Sequence, residues 1–156
     1  MSFAYLPVMA QNSAPRAPRV LVQPTRRAWR PLTIPLAAAK IALLSSAALR
    51  TANQQPFVPR EDLSYRRVPS DPNNGKIVID HHSGIGTVPK QDPEIVFPRT
   101  ALAALAQSGA IGAVAPFHFS FMGGVRAQRQ IEDELAPALA AELEKSGVDL
   151  ALLVPY

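Results

Sequence analysis

An α/β fold is what this sequence predicts: three layers, with a mostly parallel sheet of about four strands between flanking helices, preceded by an extended Pro/Arg-rich arm. Three observations carry that expectation. Short apolar runs alternate along the chain with segments of helical period. Proline and glycine punctuate the stretches between them, as at Gly75, Gly109, Pro116 and Gly147. With 156 residues, 47% of them apolar, the chain is long enough to bury one core.

The arm comes first, over residues 1–28, and residues 29–156 are expected to form the α/β domain. Pro7, Pro15, Pro18, Pro24, Pro31 and Pro35 forbid a long helix at this end. Residues 1–60 hold eight basic residues and no acid, although the net charge of the chain is only +4. Such an arm suits a solvated tail or a docking strap on a partner. Nucleic acid is not an expected partner, because Trp29 is the single aromatic among these arginines and no reader motif accompanies it.

Residues 40–46 (KIALLSS) make the first strand. Residues 50–76 read as a long polar loop with Pro56, Pro59, Pro69 and Pro72, closing on the turn Asn73-Asn74-Gly75. The run 77–80 (IVID) is a second strand that leads directly into His81 and His82. A helix follows over residues 100–108, with Gly109 as its stop, then a third strand at residues 110–115. Residues 116–124 (PFHFSFMGG) read as an aromatic loop ended by two glycines. From 125 to 146, Ile131, Leu135, Leu139 and Leu143 recur every four residues, as on an amphipathic helix. Pro137 should kink it or open a second helix at the first-turn position. A fourth strand occupies residues 148–155.

Whole classes of chemistry are excluded by composition. With no cysteine there is no disulfide, no thiolate metal site and no cysteine nucleophile. Neither a phosphate loop nor the dinucleotide fingerprint is present, so neither NAD nor ATP is expected. The uncharged stretch over residues 101–125 is broken by Gly109, Gly112, Pro116, Gly123 and Gly124, which argues against a membrane span and for a cytoplasmic protein.

Candidate site residues gather at strand ends, where open α/β sheets build their sites. His82, His118 and Ser120 are the catalytic candidates, the histidines as proton donors or substrate binders and the serine as an orienting hydroxyl. In residues 117–121 alternation puts the three phenylalanines on one face and His118 with Ser120 on the other. Tyr65 and Arg66 are candidates for an anionic small-molecule substrate. Gly123 and Gly124 offer close backbone approach and N–H groups at the start of the next helix, a seat for a carboxylate. No cofactor is firmly implied. A divalent metal on His82, His118 and Asp80, with His81 as a further ligand, is an alternative chemistry that would activate water or dioxygen.

Taken in order, PLTIPLAAAKIALLSSAAL, SYRRVPSD, IVIDHH, DPEIVFPRTALAAL, GAIGAVAPFHFSFMGG and GVDLALLVP resemble the glycine/sarcosine/betaine reductase B component (selenoprotein B) family, which includes D-proline reductase relatives. The resemblance covers residues 29–155, and the FPRTALAAL and HFSFMGG segments are its most specific part. It implies reductive cleavage of a carbon–nitrogen bond in a small amine or amino acid by a selenolate or thiolate. In that family the nucleophile follows the strand that VDLALLVP resembles, and this sequence departs there, ending at Tyr156. The expectation is therefore a nucleophile-free N-terminal half whose partner, a second protein subunit, supplies the C-terminal half and the cysteine or selenocysteine. The alternatives are the metal-dependent subunit and a non-catalytic structural or regulatory subunit.

Overall fold

The computed structural model describes residues 31–81 and 87–156. The arm over residues 1–28, Trp29, His82 and residues 83–86 lie outside the described residues. At the centre of the sheet runs β1 (Lys40–Ser45), whose Ile41, Ala42 and Leu43 are buried, as a strand covered on both faces requires. Two further strands, β5 (Ala113–Val114) and β6 (Phe117–Phe121), follow one another along one side of it, both parallel to it. Its other side pairs in parallel with β7 (Leu150–Val154), from Ile41↔Leu150 to Ser45↔Val154. Beyond β6 lies β3 (Tyr65–Pro69), antiparallel, in register from Tyr65↔Phe121 to Pro69↔Phe117. The result is a mixed, mostly parallel sheet of five strands, as the sequence predicts in class.

Helices cover both faces. On one side α2 (Arg99–Gln107) sends Leu102 into a core with Ile41, Leu43, Val68 and Phe97. It ends at Gly109, whose φ of 74° needs a residue without Cβ. A short α1 (Thr87–Gln91) precedes it. The opposite face carries α3, residues 128–145, whose Leu135 and Leu139 pack on Phe119. Pro137 takes the first-turn position of an α segment, one of the two places the sequence offers it. A π turn over Ile131–Leu135 widens the helix just ahead of it, and Pro137 falls in the first turn of the α segment Ala136–Lys145.

Three expectations need correction. The 50–76 loop contains β3: the arginines and prolines that argued for a loop suit an edge strand, where only Val68 is fully buried. The aromatic loop at 116–124 is strand β6, buried across its middle three residues. The IVID strand is not part of the main sheet. It forms β4 (Ile77–Ile79), paired antiparallel with β2 (Leu49–Thr51) in a two-stranded ribbon. The chain leaves β1 through Ala48, at φ 52°, and this turn takes β2, and β4 with it, out of the parallel sheet.

Candidate functional site

His118 and Ser120 do share one face of β6, opposite Phe119, but that face is the α2-side core and both residues are fully buried. Their polar atoms serve the backbone. Between β5 and β6 the ladder is interrupted at Ala115 and Pro116, and the Leu43 N–H donates instead to His118 Nδ1 at 3.1 Å. That bond puts the imidazole proton on Nε2, which is buried and has no hydrogen-bond partner among the described residues. The ring lies edge-on to Phe97, 5.6 Å between centroids. Burial, and secondarily the Arg99 charge, pull the His118 pKa down to about 4, so the ring is neutral at pH 7. Ser120 Oγ accepts from the Leu49 N–H at 2.8 Å and donates to the Ser45 carbonyl at 3.0 Å, stitching β1 to β2.

Tyr65 and Arg66 are held just as firmly by their own neighbourhood. Arg66 donates to the Gln55 and Pro56 carbonyls, to Ser64 Oγ and to Asp62, and stacks 4.1 Å over the Phe57 ring. Tyr65 packs edge-on to Phe119; burial and the Glu142 charge push its phenol pKa up. Asp80 receives the Arg50 guanidinium at 2.7 Å and the Phe57 N–H at 2.9 Å on the same oxygen. No three of His, Asp and Glu converge as a metal site among the described residues, and His82 lies outside them.

The carboxyl ends of the parallel strands bring together a different set. Just past β1, the Ser46 carbonyl accepts from the Gly123 N–H at 2.8 Å, and Ser46 Oγ accepts from the Tyr156 N–H at 2.9 Å. The Tyr156 ring meets the His81 ring edge-on, 5.0 Å between centroids. The Tyr156 hydroxyl is buried with no hydrogen-bond partner among the described residues. Gly123 is the wall that admits the imidazole, because a Cβ there would lie 3.2 Å from His81 Nε2 and 2.7 Å from the Ser46 carbonyl oxygen. At Gly123-Gly124, where a carboxylate seat is expected, the Gly123 N–H is committed to Ser46, and the next helix begins only at Gln128; Gly124 supplies a turn at φ 72°.

Ser46, His81, Gly123 and Tyr156 thus form the polar cluster of the sheet, and all but His81 follow a strand of the parallel set. Ser46 and Tyr156 were legible from position alone, each standing just beyond an apolar run, and the sequence reading passed over both in favour of the histidines. A hydroxyl, an imidazole and a phenol in one partly buried corner can bind a polar small molecule and move a proton.

The fold is of the α/β class, with its polar corner beyond the strand ends. The chain is 30% identical over 125 residues to the D-proline reductase subunit gamma of Acetoanaerobium sticklandii, a match that takes in 80% of this chain and 52% of that protein. This chain therefore spans about half the length of the curated relative it matches. No family model matches it, and no solved structure does. Among the described residues no helix is long and apolar enough to cross a membrane.

Proposed function

We propose that this chain is a subunit of a reductase related to D-proline reductase, acting on a small amine or amino-acid-like substrate, with a second polypeptide completing the active site. The single observation that carries the reading is the 30% identity with a D-proline reductase subunit over most of this chain. These 156 residues contain no cysteine, so the thiolate or selenolate that the resemblance implies is carried outside them, on a partner subunit. It meets the substrate at the Ser46, His81 and Tyr156 corner.

The chemistry balances with a dithiol as reductant. The chalcogen attacks the carbon that bears nitrogen, and the carbon–nitrogen bond breaks with its electron pair on nitrogen, which takes a proton. A thiol then attacks the chalcogen, and the carbon departs with the bonding pair and takes a second proton; the second thiol attacks the first sulfur, so the dithiol ends as a disulfide and the chalcogenolate is released. His81 donates the first proton, and the Tyr156 phenol and Ser46 orient the substrate. His82, adjacent in sequence, is the second histidine available to the reaction. His118 and Ser120 act indirectly, by fixing the strand β1 that ends just before Ser46.

The test is to purify the chain alone and in complex with its cysteine- or selenocysteine-bearing partner, and to follow dithiol-dependent consumption of D-proline, glycine, sarcosine and betaine by mass spectrometry. Turnover by the complex alone is expected. Full turnover by the isolated 156-residue chain contradicts the reading.

A further inference from the structure

The last strand of the sheet is built like an interior strand but stands at an edge. All five residues of β7 are apolar, and among the described residues its hydrogen bonds run to β1 alone. Leu150 and Leu152 on one face are 38% and 44% exposed, and Leu153 on the other is 66% exposed. Beside Leu153 opens a groove of about 250 Å³ between the sheet and α3, lined by Leu44, Phe121, Ile131, Leu139 and Leu143. Edge strands that remain free carry charge, proline or a bulge; this one carries none of these.

Direction decides what fits. Strands β1, β6 and β7 are parallel, and their carboxyl ends deliver Ser46, Gly123 and Tyr156 to one corner. A further parallel strand on β7 would bring the residue after its own carboxyl end to about one strand spacing, ~5 Å, from Tyr156. A second copy related by a two-fold axis would pair antiparallel and bring its amino end there, with nothing reactive. Within its own chain such a strand joins its next parallel neighbour through a crossover, usually a helix, and the groove beside α3 is an apolar berth for one. In the D-proline reductase relative the matched stretch is 52% of the chain, so about as much polypeptide again lies outside it.

We propose, resting on the functional reading above, that the open edge of β7 and the groove beside α3 take up a parallel β-strand and its crossover helix from the polypeptide that carries the reactive thiolate or selenolate. The added strand gives affinity through main-chain hydrogen bonds, the helix fills the groove, and the strand end sets the chalcogen beside Tyr156.

Photo-crosslinking tests this in the complex purified from cells that make the full chain. With p-benzoylphenylalanine in place of Leu153, irradiation should join β7 to a peptide in which an apolar strand runs into a cysteine or selenocysteine, while the same group at exposed Val58 should not. A crosslink to residues 1–30, to β7 of a second copy or to a peptide lacking both residues overturns the proposal, as does no crosslink. Leu153→Lys should weaken the complex more than 100-fold with the melting temperature of the isolated chain unchanged; an unweakened complex overturns it as well. The expected crosslink in a complex without reductase turnover removes the functional reading and leaves the docking mode, and turnover without the crosslink does the reverse.

Discussion

The two edges of the sheet are finished in opposite ways. On β3 the side chains are Tyr65, Arg66, Arg67 and Val68, ending at Pro69; Arg66 lies over Phe57, and Arg67 lies 4.5 Å over Phe117. Charge and proline close that edge to further pairing. On β7 the sequence LALLV leaves leucines exposed on both faces and its outer backbone open among the described residues. The contrast teaches that side chains on β3 close its edge, whereas the β7 edge is the one a further strand can join.

Substitutions separate the two edges, and the largest effect belongs to the closed one. Val68→Asp buries a charge in the α2-side core and should cost about 4 kcal/mol or unfold the chain, as urea denaturation would report. Next comes acid. His118 titrates near 4 in the folded chain against 6.5 ordinarily, so its neutral form stabilises the fold above pH 6.5. That stability is lost as pH falls from 6.5 through 4, by about 3 kcal/mol in all. His118→Gln, which keeps an acceptor for the Leu43 N–H, should remove that pH slope from the melting curve. Gly123→Ala drives a Cβ to 2.7 Å from the Ser46 carbonyl oxygen and should cost about 2 kcal/mol while displacing His81. Smallest of all, Leu153→Lys on β7 should change the stability of the isolated chain by less than about 0.5 kcal/mol.

Apolar runs and helical period made β1, α2, α3 and β7 legible, because burial writes itself directly into those patterns. Strands β3 and β6 were not, for two different reasons. Arg66 and Arg67 look solvated in sequence, yet their guanidinium groups stack on rings from other segments. In residues 117–121, His118 and Ser120 look like polar site groups, yet each satisfies backbone that the interrupted ladder and the turn out of β1 leave needing partners. A one-dimensional pattern shows that a histidine is near a strand end; it does not show which backbone N–H takes the imidazole. The likeness to a D-proline reductase subunit was legible from ordered motifs, and the corner at Ser46, His81 and Tyr156 became visible only once the parallel ends were brought together in space.

Turnover of two histidine variants in the assembled complex tests the central claim most directly. Per folded molecule, His81→Asn should lower kcat at least 100-fold with assembly unchanged, whereas His118→Gln should leave kcat within about twofold, because its ring holds backbone rather than substrate. The reverse pattern, with His81→Asn active and His118→Gln dead though folded, would contradict the account.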